Sequence, residues 1–220
     1  MPLLNMSIKH NISVQKTAVY YSSGNIKTAK TIWFVLHGYG MLAKYFIKKF
    51  ETITNNEVAV IAPEGLSKFY TQGFYGRVGA SWMTKEDRED EINDYINYLN
   101  QLYHFIIGTN SNPDTKINIV GFSQGGATAS RWVADGKIKL HNFILWASVF
   151  PDDMNFRSFG KDFSTYMVYG NNDEFATHEH VKKQQEMLNT SNLKYQLVEF
   201  EGKHDIPEKV LSEQIEKNNW

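Results

Sequence analysis

The 220-residue chain contains no cysteine. That excludes a disulfide framework, thiolate metal sites and a cysteine nucleophile. Net charge is also nearly absent, since 23 Lys and Arg face 24 Asp and Glu. A nucleic-acid-binding protein would carry a basic face or stripe. Here the only doubled lysines are Lys48-Lys49 and Lys182-Lys183. Long apolar runs are missing too. The densest stretches, 32–36 and 143–149, fall far short of the roughly 18 apolar residues of a spanning helix. The start, Met1 to Met6, shows neither a basic n-region nor an apolar h-region. The expectation is therefore a cytoplasmic protein without stable membrane insertion. Five prolines, none inside a periodic segment, and the lack of repeats or Gly/Ser linkers predict one domain over residues 1–220. A hydrophobic content of 42% excludes disorder.

What is present alternates. Short, nearly continuous apolar runs lie at 31–37, 58–62, 116–121, 142–147, 164–169 and 195–200, as expected of parallel strands covered on both faces. A more polar strand at 13–22 is predicted at an edge. Between the runs the spacing predicts helices over 42–54, 85–107, 123–135, 177–189 and 207–217. The clearest is 85–107, where Ile92, Tyr95, Ile96, Leu99, Tyr103 and Ile106 form one stripe at spacings of three and four. Thr84 with Asp87 resembles a capping box at its start. The acidic run from Glu86 to Glu91 reads as a solvated helix face that suits the dipole. Strand and helix alternating in this way predict an α/β architecture with a mostly parallel central sheet and helices on both faces. Ligands of such sheets sit at the carboxyl ends of the strands.

One strand runs directly into Gly121-Phe122-Ser123-Gln124-Gly125-Gly126. This is G-x-S-x-G between a strand and a helix. In that setting a serine on a sharp turn projects its hydroxyl above the sheet, and the flanking glycines leave room for neighbouring backbone. Chance alone gives roughly 0.06 such pentapeptides at this Gly and Ser content. A Gly-rich phosphate turn is the rival reading, but neither G-x-G-x-x-G nor Gly-Lys-Ser/Thr is present. A serine hydroxyl needs a base, and the base needs an acid to hold it. Two later strands supply both in the order Ser, Asp, His. Asp173 follows 164–169, and His204 follows 195–200. Glu174 and the pair Asp152-Asp153 remain alternatives for the acid. The other histidines fall before the core, inside a helix, at a strand start or, as His178 and His180, two apart on a helix. That last spacing makes a poor metal pair.

His37-Gly38-Tyr39-Gly40 follows the 31–36 run, where a loop N–H can complete an oxyanion hole with the N–H of the residue after the serine. His37 reads best as ordering this loop. The long segment 63–82 carries Phe69, Tyr70, Phe74, Tyr75 and Trp82 among four glycines. It is a binding loop or lid, with Phe74 and Trp82 as candidate substrate contacts, or a satellite hydrophobic cluster.

The stretches FVLHGYG (34–40), IAPEG (61–65), SWM (81–83), IVGFSQGGATAS (119–130), VYGNNDEF (168–175) and FEGKHDIP (200–207) resemble the phospholipase/carboxylesterase group of α/β-hydrolases, which includes bacterial carboxylesterases and acyl-protein thioesterases. The resemblance spans residues 31 to about 210. It implies an α/β-hydrolase fold without a large cap, with Ser123 as nucleophile, Asp173 and His204 as its partners, and the Tyr39 and Gln124 N–H groups as oxyanion donors. Two stretches depart from the group. Met41 stands where many members carry an acid, and Ala147-Ser148-Val149-Phe150 stands where Ser-Gly is usual. The implied activity is hydrolysis of small to medium acyl esters without cofactor or metal, with a small-molecule ester as partner and no nucleic acid. An acyl-protein thioesterase or lysophospholipase is the alternative within the same chemistry, and a non-catalytic binding protein is the alternative outside it. Because the base must be neutral to act, activity is predicted to fall below about pH 6.

Overall fold

The computed structural model describes residues 7–154, 156, 159, 162–191 and 193–220. The Met1–Met6 start lies outside them. Seven strands form one sheet: β1 (Tyr20–Ser23), β2 (Thr31–Leu36), β3 (Val58–Pro63), β6 (Lys116–Phe122), β7 (Asn142–Trp146), β8 (Ser164–Gly170) and β9 (Gln196–Phe200). Their order across the sheet is β1-β3-β2-β6-β7-β8-β9. Only β1 runs antiparallel, pairing Tyr20 with Pro63 through Ser23 with Val60. This is the α/β-hydrolase fold.

The apolar runs become buried strands because helices cover both faces. Along β2 the side chains alternate. Ile32, Phe34 and Leu36 join a cluster with Tyr95, Leu99 and Ile106 of α2 (Arg88–Thr109), Trp132 of α3 (Gln124–Ala134) and Leu188 of α4 (His178–Ser191). Trp33 and Val35 join the opposite cluster with Phe46 of α1 (Ala43–Phe46) and Leu211 of α5 (Glu208–Asn218). The predicted stripe of α2 therefore lies in the core, and its acidic first turn, Glu89 to Glu91, suits the helix N-terminus.

Several expectations need correction. The edge strand is only four residues long, because residues 7–18 are exposed or half-buried and outside the sheet. The capping box does not form. Asp87 precedes α2 with a left-handed φ of 48° and no side-chain cap. Instead the Glu91 carboxylate accepts the Thr84 N–H. The helix expected over 42–54 divides, with α1 tightening into a 3₁₀ helix at Ile47–Ile53. Its closing residues Thr52 and Ile53 and the extended Thr54 after them are all β-branched, which disfavours α propagation.

Segment 63–82 is an antiparallel hairpin, β4 (Ser67–Gln72) and β5 (Tyr75–Ser81). Gln72 pairs with Tyr75, leaving Gly73-Phe74 as a two-residue turn with Gly73 at φ 63°. A glycine at the first turn position is the signal of this hairpin type, and it was available in the sequence. The base of the hairpin grips the loop after β2. The Gly40 N–H donates to the Ala80 carbonyl, and the Ala80 N–H to the Met41 carbonyl. A Cβ on Gly79 would stand 2.6 Å from the Gly40 oxygen.

Candidate active site

The carboxyl ends of β2, β6, β8 and β9 carry the four segments singled out by sequence. Ser123 sits between β6 and α3 at φ 53° and ψ −122°, a strained conformation for a residue with a side chain. The glycines around it have no space to spare. A Cβ on Gly121 would lie 2.6 Å from the Gly125 oxygen, and one on Gly125 would lie 2.3 Å from the Leu36 oxygen.

Asp173 and His204 meet. The His204 Nδ1 lies 2.8 Å from one Asp173 carboxylate oxygen and 3.0 Å from the other. The Asp173 side chain is wholly buried, and a buried carboxylate needs partners. Besides the imidazole, its Oδ1 accepts the N–H groups of Phe175 (2.8 Å) and Ala176 (2.9 Å). Because Nδ1–H donates to the carboxylate, Nε2 is the nitrogen free to act as a base. The ring packs between Phe122 (4.9 Å) and Phe175 (4.8 Å), which places it beside the serine turn. Among the described residues His204 hydrogen-bonds to Asp173, and no hydrogen bond joins it to Ser123. Such bonds commonly tighten only when substrate is bound. The Trp146 Nε1–H donates to the Asp205 carbonyl at 2.9 Å, tying the His204 loop to β7.

The rival acids are placed elsewhere. Asp153 bridges Arg88 (2.6 Å) and Arg131 (2.8 Å). Burial pushes its carboxyl up, but the hydrogen bonds from the two guanidinium groups prevail and hold it down at about 2. Glu174 is exposed.

Gln124 directly follows Ser123, and Tyr39 follows Gly38, on which a Cβ would stand 3.1 Å from the Ser123 Cβ. Gln124 opens α3, so its N–H has no intrahelical partner. Among the described residues neither it nor the Tyr39 N–H donates to a backbone carbonyl in the loops. The Gln124 side chain is pinned, accepting the Trp82 N–H at 3.2 Å and donating to the Met83 carbonyl at 2.8 Å. His37 is fully buried and orders its loop. The Gly65 N–H donates to Nε2 at 3.0 Å, so Nδ1 carries the proton and donates to the Gly38 carbonyl at 2.8 Å. Burial lowers its pKa, which fits this neutral ring.

The two candidate substrate contacts do not line an open cleft. Trp82 is 1% exposed. It packs on His37 and donates from Nε1 to the His37 carbonyl at 2.8 Å, supporting the loop from behind. Phe74 is 86% exposed at the hairpin tip, away from any packed wall. Sequence reasoning missed a partly open pocket beside the serine turn. This pocket of about 420 Å³ lies along the first turns of α3, between Met83, Gln124, Ala127, Val149, Phe150 and Asp153. Its residues come from three separate segments, so no local pattern marks it. Among the described residues no three carboxylates or imidazoles converge as a metal site requires.

A family model for phospholipase/carboxylesterase matches residues 19–217. The chain belongs to that family. It is accordingly an α/β-hydrolase of a family that acts on esters. Members of the same fold among solved structures include acyl-protein thioesterase 2 from Zea mays (TM-score 0.69, 16% identity, 92% of this chain and 98% of the other). The Bacillus cereus carboxylesterase aligns with a TM-score of 0.67 at 15% identity over 92% and 93% of the two chains. Arabidopsis thaliana SOBER1 aligns at 0.64 and 17% over 86% and 99%. At these identities the likeness is one of fold. A search of curated proteins finds no significant match. No described helix is long and apolar enough to cross a membrane.

Proposed function

We propose that this family member is a serine hydrolase that cleaves carboxylic esters of small to medium acyl groups through an acyl-enzyme. The observation that carries the reading is the buried Asp173 carboxylate holding His204 by Nδ1 beside the strained Ser123 turn. In the first step the Ser123 oxygen attacks the acyl carbonyl carbon while His204 Nε2 takes its proton. The carbonyl π bond opens, and the tetrahedral oxyanion accepts the N–H groups of Tyr39 and Gln124. Asp173 stabilises the imidazolium without itself becoming protonated. The C–O bond to the alcohol then breaks, and His204 returns the proton to the leaving oxygen. Water repeats the sequence on the acyl-enzyme and releases the carboxylic acid. A partly open pocket of about 420 Å³ is lined by Gln124, the residue after the serine, and offers space for the acyl group.

A p-nitrophenyl ester series of rising acyl length tests this. The expected result is measurable turnover with an optimum at short to medium chains, and loss of kcat on the order of 10⁶ in Ser123→Ala. Full activity in that variant would overturn the assignment. Thioesters of the same acyl chains would react by the same steps, and their rates relative to the oxygen esters decide between an esterase and a thioesterase role.

A further inference from the structure

The loop after β7 contains a feature that the chemistry above does not use. Ala147 has a left-handed φ of 49° although it carries a Cβ and is buried. Its N–H donates to the Val168 carbonyl at 2.7 Å, which anchors the inversion to β8. The inversion turns the next residue back toward the serine elbow. There the Ser148 hydroxyl donates to the Ser123 carbonyl oxygen at 2.7 Å. From the same strand end, the Trp146 carbonyl accepts the Ser123 N–H at 3.1 Å. The backbone of Ser123 is thus held on both sides by residues 146–148.

The consequence follows from the planarity of the peptide bond. The Ser123 carbonyl and the Gln124 N–H belong to one rigid trans unit and point in opposite directions. Whatever fixes the first fixes the second. A hydroxyl donating to that carbonyl also polarises the unit and strengthens its N–H as a donor. The third glycine of the motif belongs to the same arrangement. A Cβ on Gly126 would lie 2.2 Å from the Ser148 oxygen, so the hydroxyl reaches Ser123 only because residue 126 lacks a side chain.

We propose that Ser148 is a positioning residue that aims the Gln124 N–H at the oxyanion, acting through the Ser123–Gln124 peptide plane. This rests on the reading in which Ser123 attacks and Gln124 receives the oxyanion. The oxyanion exists only in the transition state and the intermediate, so a poorly aimed donor lowers kcat and leaves KM in place.

The test compares Ser148→Ala with Ser130→Ala. Ser130 donates to the Gly126 carbonyl at 2.8 Å and so offers a hydrogen bond of the same kind in α3 that does not touch Ser123. Kinetics on a short p-nitrophenyl ester are read together with the rate of fluorophosphonate labelling of each folded protein. Ser148→Ala should lose about tenfold in kcat and in labelling rate at unchanged KM, the scale of one hydrogen bond. Ser130→Ala should lower the melting temperature and keep both rates. Wild-type rates in Ser148→Ala, or an equal loss in both variants, would overturn the proposal. If Ser148→Ala does not fold, Ser148→Cys takes its place, because a thiol donates weakly. An unchanged labelling rate in that variant is then the contradicting result. Failure of the wild type to label at Ser123 would instead remove the hydrolase reading itself.

Discussion

At the residue scale, the Asp173 carboxylate does two jobs with one pair of oxygens. Oδ1 accepts two backbone N–H groups from its own loop, and both oxygens face the His204 Nδ1. Asp173→Asn separates the jobs. The amide keeps an oxygen for Phe175 and Ala176, while its NH₂ takes the Oδ2 place facing Nδ1 and donates there, which favours the wrong imidazole tautomer. The expected outcome is a fold that melts near the wild type and a kcat reduced on the order of 10⁴, as tautomer control is lost. Retained kcat would show that Asp173 does not set the imidazole. These residues were legible in the sequence because each follows a strand in a fixed order. Ser148 was not, since its role depends on the inverted φ of Ala147 and on the empty space at Gly126, neither of which a residue type announces.

At the scale of elements, the β4–β5 hairpin acts as a brace rather than a wall. Its tip is exposed at Phe74, whereas its base is locked to Gly40 and Met41. Phe74→Ser is therefore expected to change stability by no more than about 0.5 kcal/mol in urea unfolding. Gly79→Ala should behave differently. The added Cβ meets the Gly40 oxygen at 2.6 Å and its Cα at 2.7 Å, so strand and loop must part, and the Tyr39 N–H moves with the loop. A loss of kcat on the order of 10-fold or more is expected. An active, wild-type-like Gly79→Ala would show that the brace does not position Tyr39. The sequence supplied the aromatics and glycines of this segment, but they read equally as lid, wall or cluster. The deciding facts were a two-residue turn at Gly73-Phe74 and pairing to a distant loop. Trp82 carries the same ambiguity. A tryptophan near a site can be exposed to substrate or buried behind it, and only packing against His37 and Tyr95 decides.

At the scale of the whole molecule, the sheet was legible because its central strands are buried on both faces and so have continuous apolar runs. The edges and the pocket were less so, since exposed strands are polar and the pocket is assembled from segments 83–88, 124–131 and 149–153. Two buried or paired groups give the stability a defined pH dependence. The pKa of His37 is lowered by burial, so the unfolded chain binds its proton more readily. Stability should therefore fall as pH drops below the ordinary 6.5. Urea unfolding at pH 8 and pH 5 should show this loss, and His37→Asn should reduce the difference. A variant with the full wild-type difference would assign it elsewhere. The depressed Asp153 carboxyl contributes in a separate, more acidic window. Its contribution is present above the ordinary carboxyl range and fades toward about 2. With nearly half of its side chain exposed, that contribution is small. The central claim is that one strained serine on this sheet is activated for acyl transfer. It is tested most directly by treating the folded protein with a fluorophosphonate and mapping the adduct by mass spectrometry. The account predicts a single adduct on Ser123 that disappears in Ser123→Ala. No adduct on the folded protein, or one that survives in Ser123→Ala, would contradict it.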